Sequence, residues 1–365
     1  MTRRDVSAFF ITAASTIADA IASIDRSGRV SLALVVDENR RLVNTLTDGD
    51  VRRGILAGLS LSDPVSLLLE RKRHTPHPDP VTALASTPPL DALRIMHENM
   101  VRQLPLLDET GVPIDIVIVS DFLTESVRPI QAVVMAGGQG SRLRPLTEAV
   151  PKPMLPVGGK PVMEFIVDQL REVGVKRIHV ATHYQAEKIM DHFGDGRAFG
   201  VEIEYVHETR PLGTGGALGL LHAPTETTLI INGDILTRID LRSFCAFHYD
   251  HGAEMTVGVR RYEVQVPYGV VDCDGPHVKS LREKPQLSFF VNAGIYLVEP
   301  SVFTLIPTGE HLNITDLVET LVAAGRPVVS YPICEYWLDI GHHEDYRRAQ
   351  EDARKGKLLK STVRK

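Results

Sequence analysis

Apolar positions first recur at helical spacing at Ile17, Ile21 and Ile24, behind Thr16-x-x-Asp19, a pattern that predicts a helix opened by a capping box. The apolar runs Leu32–Val36 and Leu42–Leu46 then predict two strands, and a short helix beginning near Asp50 closes the unit. The same order returns 71 residues later: Val36-Asp37-Glu38 through Asp50-Val51 realigns without a gap on Leu107-Asp108-Glu109 through Asp121-Phe122. In that second copy Leu90, Leu93 and Met96 or His97 keep helical spacing after Pro88-Pro89. Leu104–Leu107 and Ile114–Val119 supply the strands, with a helix near Asp121. The chain therefore begins with two helix–strand–strand–helix repeats, about 10–72 and 73–126.

The short polar segment Thr124–Ile130 reads as a connection to a second domain over 131–350. There the texture changes to strands alternating with helices. Ala132–Ala136, Arg177–Ala181, Val201–Val206 and Thr228–Ile231 read as strands. Pro161–Gly174 carries an amphipathic helix with Pro at its start and Gly past its end, and Gln185–His192 a second helix. Such alternation predicts a Rossmann-like α/β domain with a mostly parallel sheet, helices on both faces and ligands at the carboxyl ends of the strands.

Composition narrows the function. With 365 residues and 40.3 kDa the chain has room for two or three domains, and 43% hydrophobic with 24% charged residues is a globular profile. A net charge of −6 provides no global basic field, so neither nucleic acid nor an anionic membrane is an expected partner, and any phosphate must be met locally. Cys245, Cys273 and Cys334 lack metal or disulfide spacing. No apolar run approaches a membrane span, and Met1-Thr-Arg-Arg-Asp5 leads into no signal-peptide core, so a cytoplasmic protein is expected. His74, His77, His342 and His343 read as surface or helix-end residues. The tail 351–365, with six basic residues from Arg354 on, reads as a solvated end.

The candidate chemistry starts where Ala132–Ala136 runs into Gly137-Gly138-Gln139-Gly140-Ser141-Arg142-Leu143-Arg144-Pro145. Glycines let the backbone approach an anion, and consecutive N–H groups cradle phosphate oxygens. Leu143 stands where a dinucleotide fingerprint needs its third glycine, and no Walker-type lysine motif surrounds Gly159-Lys160-Pro161. What remains is a phosphate loop followed by two cations, Arg142 and Lys152. Asp234, after the apolar strand Thr228–Ile231, and Asp339 are carboxylates suited to a divalent cation carried in with a triphosphate.

The stretch Met135 to Thr147, continued by Pro151-Lys-Pro-Met-Leu-Pro-Val-Gly-Gly-Lys-Pro161, resembles the signature of sugar-1-phosphate nucleotidyltransferases of the mannose-1-phosphate guanylyltransferase kind. Further matches follow in the family's order over about 131–350. They are Leu212-Gly-Thr-Gly-Gly-Ala-Leu218, Asn232-Gly-Asp234, Pro267-Tyr-Gly-Val-Val271, Glu283-Lys284-Pro285, Asn292-Ala-Gly294 and Trp337-Leu-Asp339-Ile-Gly341. The resemblance implies a GT-A-like domain that joins a nucleoside triphosphate to a sugar 1-phosphate with Mg²⁺, releasing pyrophosphate for glycan or surface polysaccharide synthesis. It implies catalytic roles for Arg142 and Lys152 and nucleotide contacts from Ala136, Gly137, Gly138, Gly140, Ser141, Gly213, Thr214 and Gly215. Sugar-phosphate contacts fall to Tyr268, Gly269, Glu283, Lys284 and Asn292, and metal ligation to Asp234 and Asp339. The loop Gly213-Thr-Gly-Gly216 resembles purine users, which points to GTP. A nucleotide sensor with a silent transferase-like domain and a molybdopterin guanylyltransferase-like enzyme are the alternatives; the intact charged residues oppose the first and the sugar-side motifs the second.

The repeats resemble a tandem cystathionine-β-synthase-type (CBS) pair, α+β in class, over about 10–126. The carrying residues are Thr45-Leu46-Thr47-Asp48-Gly49-Asp50. The resemblance implies an adenine or guanine nucleotide near Thr47 and Asp50 and a regulatory role. Asp121 is the counterpart of Asp50, but Ile118 replaces Thr47, so one well-formed site at most is expected. The competing reading is a structural module with Asp50 capping a helix. A homo-oligomer is expected.

Overall fold

The computed structural model describes residues 4–75, 77–118, 121, 130–222 and 224–358. Val119, the connection Thr124–Pro129, the helix expected near Asp121 and the end of the basic tail lie outside the described residues, as does the side chain of Leu90. The chain divides into two compact units, Met1–Val127 and Arg128–Lys365.

In the first unit each repeat builds a three-stranded sheet. A short strand, Phe10–Ile11 or Ala83–Leu84, runs parallel to the middle strand of a hairpin formed by Leu32–Val36 with Leu42–Thr47, or Gln103–Leu107 with Pro113–Ile118. The repeated Asp-Glu of the sequence explains the hairpins' likeness. Asp37 Oδ1 accepts from the N–H groups of Asn39 and Arg41, and Asp108 Oδ1 from those of Thr110 and Val112, the same side-chain-to-backbone turn in both copies. The expected capping box is present, Thr16 starting the helix Ile17–Ser27 with Asp19 at its third position. Pro88 and Pro89 start the helix Pro89–Glu98.

The second unit carries a seven-stranded sheet, which we label in chain order β1 (Ile130–Met135), β2 (Arg177–Thr182), β3 (Glu202–His207), β4 (Thr227–Asn232), β5 (Met255–Gln265), β6 (Gln286–Val298) and β7 (Val328–Pro332). The spatial order is β3-β2-β1-β4-β6-β5-β7. The pairs β3–β2, β2–β1, β1–β4 and β5–β7 are parallel, while β6 runs antiparallel to β4 and β5.

Apolar residues occupy both faces of the central strands, as a sheet covered on two sides requires. Ala132, Val134, Leu229 and Ile231 join one core, roofed by the helices Val162–Glu172, Ala186–Phe193 and Leu241–Asp250; Val133 and Ile230 join the other, beneath Ile314–Ala323. β5 and β6 continue beyond these cores as a hairpin, and the chain between them forms the exposed ribbon Val270–Asp274 with His277–Arg282.

Two boundaries differ from the sequence reading. The first strand begins at Ile130, inside the expected connection, because Ile130 is itself buried and pairs with Thr227. The tail assigned to 351–365 starts inside the helix His343–Arg354. Asp352 is buried there, bonded to Tyr336 and paired with Lys357 at 2.8 Å, while Arg354, Lys355 and Lys357 are themselves exposed.

Candidate active site

β1 and β4 are parallel neighbours, with β2 and β3 to one side and β6 to the other, so the chain reverses its direction of growth between them. Such a switch point leaves a crevice beyond the carboxyl ends of the strands. Met135 pairs with Asn232, and the N–H of Gly233 donates to the Met135 carbonyl at 2.8 Å. The glycine loop leaving β1 and the Asn232-Gly233-Asp234 turn leaving β4 thus emerge side by side. Gly233 is required by that approach, since a Cβ there would lie 2.8 Å from the Met135 carbonyl oxygen.

Within the loop, Gly140 takes a φ of 60°, and the Thr147 hydroxyl donates to its carbonyl at 2.8 Å. A Cβ at Gly140 would lie 2.9 Å from Thr147 Cγ2 and 3.1 Å from Lys152 Cβ. A side chain is excluded here on both sterics and backbone conformation. Around Gly138, by contrast, the space is open. Ala136 is buried, Ser141 opens the short 3₁₀ turn Ser141–Leu143, and fully buried Leu143 anchors that turn. Arg142 between them projects outward, its Nη1 3.4 Å from His342 Nε2.

Lys152, Asp234 and Asp339 converge although 82 residues separate the first two. The short ladder Ile235–Thr237 with Trp337–Asp339 pairs Ile235 with Asp339, and the Ile340 N–H donates to the Asp234 carbonyl at 3.1 Å. Lys152 Nζ donates to Asp234 Oδ2 and lies 3.7 Å from Asp339 Oδ1. One ammonium therefore faces two carboxylates. Although about half of the Asp339 side chain reaches solvent (52%), partial burial and the neighbouring Asp234 charge push its carboxyl above the usual range, with Lys152 and Arg142 opposing. Asp234 Oδ1 is buried with no hydrogen-bond partner. The donor set fits a hard cation, two carboxylates with an unmet oxygen and charge to spare. Among the described residues no group of three or more His, Cys, Asp or Glu converges.

The other expected contacts are placed differently. Gly213, Thr214 and Gly215 lie in a single helical turn, Gly213–Gly216, packed on the backbone before the helix Ile314–Ala323. The N–H groups of Gly215 and Gly216 both donate to the Leu312 carbonyl at 2.8 Å, and Thr214 Oγ1 accepts from the Ile314 N–H at 3.1 Å. A Cβ at Gly213 would meet the Leu312 oxygen at 2.6 Å and one at Gly216 the Glu310 oxygen at 2.3 Å. Close packing on this backbone excludes a side chain at Gly213 and Gly216.

Tyr268, Glu283 and Lys284 are exposed around the ribbon, Tyr268 at 75%, and Lys284 takes a φ of 45°. Gly269 faces Glu283, whose Oε2 would lie 3.1 Å from a Cβ. Asn292 Oδ1 accepts from the Gly294 N–H at 2.9 Å, and its side chain bonds Tyr296 Oη, which fixes it inside the end of β6.

Sequence reasoning passed over Glu208. It is buried, its Oε2 accepts from the Leu212 N–H at 2.9 Å, and its Oε1 would lie 2.8 Å from a Cβ on Gly137. Glu208 thus stands beside Gly137 of the glycine loop and is bonded to the Leu212 loop. An acidic residue directly after a strand was the available signal. His342 and His343 are helix-end residues as expected, and both also touch the glycine loop's turn.

In the first unit, Thr47 caps the helix Asp48–Leu56, and Asp50 stands at its third position rather than as the cap. Asp50 Oδ2 accepts from the Thr47 N–H (2.9 Å) and hydroxyl (2.8 Å), and Oδ1 pairs with Arg53 at 2.6 Å. Asp121 receives both terminal nitrogens of Arg4, at 2.9 and 2.6 Å, and the Ile118 N–H at 3.1 Å.

The family model described as nucleotidyl transferase matches residues 131–356, and the CBS domain model matches 1–57 and 73–128. A mannose-1-phosphate guanylyltransferase from Mycobacterium tuberculosis is 34% identical over 234 residues, covering 62% of this chain and 65% of the relative. A UTP–glucose-1-phosphate uridylyltransferase from Synechocystis is 35% identical, covering 60% of this chain and 62% of that relative. The chain thus spans under two thirds of these relatives' length. A D-glycero-alpha-D-manno-heptose 1-phosphate guanylyltransferase from Aneurinibacillus thermoaerophilus is 31% identical with 98% of its length covered. A crystal structure from Bacillus anthracis, assigned as a glucose-1-phosphate thymidylyltransferase in complex with sucrose, aligns with a TM-score of 0.52 and 27% identity. The alignment covers 62% of this chain and 95% of that one.

Proposed function

Since the chain belongs to the nucleotidyl transferase family and carries a CBS pair, we propose that it transfers a nucleotidyl group from a nucleoside triphosphate, GTP by preference, to a sugar 1-phosphate. The observation that carries this reading is the convergence of Lys152, Asp234 and Asp339 beside a glycine-lined loop at the sheet's switch point. A phosphate oxygen of the sugar phosphate attacks the α-phosphorus, a new P–O bond forms, and the bond to pyrophosphate breaks. The attacking monoester is already largely dianionic near neutral pH, so no general base is needed. The work of the protein is alignment and neutralisation of crowded negative charge.

Open space at Gly138 and the backbone about Gly140 and Ser141 leave room for the triphosphate, and Arg142 meets the leaving pyrophosphate with a fixed guanidinium fork. Lys152 supplies a cation at the loop's edge. Asp234 and Asp339 would hold Mg²⁺, which supplies further positive charge to the reacting phosphates. Tyr268, Gly269, Glu283, Lys284 and Asn292 bind the sugar phosphate in this reading, and Gly213, Thr214 and Gly215 border the base. GTP is supported by the Gly213-Thr-Gly-Gly216 sequence and by guanylyltransferases among the similar proteins.

The CBS pair is the regulatory element of this reading. A nucleotide bound near Thr47 and Asp50 changes activity only if it prefers one state of the protein over another. Among the described residues no helix is long and apolar enough to cross a membrane. The test of the transfer reaction is pyrophosphate release from the full chain over a grid of nucleoside triphosphates and sugar 1-phosphates. Activity confined to one pairing supports the reading, and no release with any pair contradicts it.

A further inference from the structure

The helix His343–Arg354 is fastened to the segment that follows the phosphate loop. Tyr346 Oη and Gln350 Nε2 donate to the Pro156 carbonyl at 2.7 and 2.6 Å, and Ala349 is fully buried in a small core with Leu143, Leu155 and Val157. Leu143 belongs to the loop itself. At the amino end of this helix two consecutive histidines reach the same turn. His342 Nε2 lies 3.4 Å from Arg142 Nη1, and His343 Nε2 lies 2.9 Å from the Arg144 carbonyl oxygen.

The contact with a guanidinium, which can only donate, requires a bare Nε2 on His342, and the contact with a carbonyl, which can only accept, requires a hydrogen on His343 Nε2. The His342 N–H donates to Asp345 Oδ2 at 2.8 Å, which holds its backbone at the start of the helix.

We propose that His342 and His343 form a clasp that positions Arg142 for the departing pyrophosphate, His342 holding the guanidinium and His343 the backbone of its turn. This inference rests on the transferase reading. Without the clasp, an exposed arginine on a three-residue turn retains its rotamer freedom, and ordering it on the phosphate costs that entropy.

The experiment uses the full chain and the variants His342→Leu, which lacks an acceptor, and His342→Gln, whose amide oxygen can accept. Two quantities are read: the pyrophosphate KM and kcat in the reverse reaction, and the rate at which phenylglyoxal modifies Arg142 in substrate-free protein, followed by mass spectrometry of its peptide. His342→Leu is expected to raise the pyrophosphate KM about threefold to tenfold, the span of one lost hydrogen bond, with a smaller change in kcat, and to speed Arg142 modification. His342→Gln is expected to restore both. Unchanged KM and unchanged Arg142 reactivity in His342→Leu would overturn the clasp. If the wild type catalyses no transfer at all, the transferase reading fails, and the Arg142 modification rate still decides whether the clasp exists.

Discussion

The two units treat their candidate carboxylates in opposite ways. In the first, Asp50 is enclosed by Thr47 and Arg53, and Asp121 by Arg4 and the Ile118 N–H, so each acid is satisfied by its own chain. In the second, Asp234 keeps one oxygen buried without a partner, Asn232 Oδ1 is in the same condition, and Asp339 is held above the usual carboxyl range beside Asp234. An unmet buried acceptor costs roughly 1–3 kcal/mol. A fold that keeps such groups together at one sheet edge is arranged for something that arrives from outside. Carboxylates already paired are first of all structural, and a ligand there must displace a native partner.

The sharpest way to break this contrast is to neutralise each carboxylate in turn. Asp234→Asn and Asp339→Asn are expected to remove most turnover while the fold persists, because neither side chain belongs to a core; unchanged kinetics at saturating Mg²⁺ would sink the metal assignment. Next in size, Lys152→Ala and Arg142→Ala should each lower kcat/KM roughly 10²–10³-fold, the scale of one lost preorganised donor. A loss below tenfold for both would make them bystanders.

In the first unit the expected effect is on stability. Thr47→Ala and Asp50→Ala remove the two halves of a capping box and should each destabilise that unit by about 1 kcal/mol, read as a lower first melting transition. If Asp50→Ala leaves melting unchanged but abolishes calorimetric binding of ATP, AMP, GTP or GDP, the acid is a ligand contact and the contrast fails. Asp121→Ala is expected to affect any such binding less than Asp50→Ala, since Arg4 already occupies Asp121.

The smallest effect concerns Asp339 and has a definite sign. Its carboxyl is raised in the folded protein, so ionisation opposes folding: the associated stability is present below the unfolded carboxyl value and is lost as pH rises through the folded one. In the absence of metal and substrate, Asp339→Asn should therefore melt slightly higher than wild type at neutral pH, with the gain shrinking as pH falls into the carboxyl range. A lower melting temperature at neutral pH would show that Lys152 binds Asp339 strongly enough to reverse the sign.

Most of the architecture was legible because period and spacing dictated it. The 71-residue repeat marked two matching hairpins, and continuous apolar runs such as Thr228–Ile231 marked strands buried on both faces. The joining of Asp234 to Asp339 was not legible from periodicity, because the ladder that brings them together is three residues long on each side. Resemblance alone linked them. The glycines at 213–216 carry two readings for a physical reason: close backbone packing and ligand approach both demand the absence of a Cβ, and sequence does not separate the two. Glu208 escaped notice, and His342 and His343 were read only as surface or helix-end residues, because their partners are loop backbone or a distant arginine, contacts that leave no local pattern.

The central claim is that the unmet charges of the second unit serve nucleotidyl transfer. It is tested most directly by pyrophosphate release from the full chain with Mg²⁺, using GTP, ATP, UTP and dTTP against a panel of sugar 1-phosphates, with Asp234→Asn run beside the wild type. The account predicts release that depends on both substrates, is greatest with GTP and falls to background in the variant. A pyrimidine nucleotide outperforming GTP would overturn the base assignment, and wild-type release no greater than that of Asp234→Asn for every pair would contradict the claim itself.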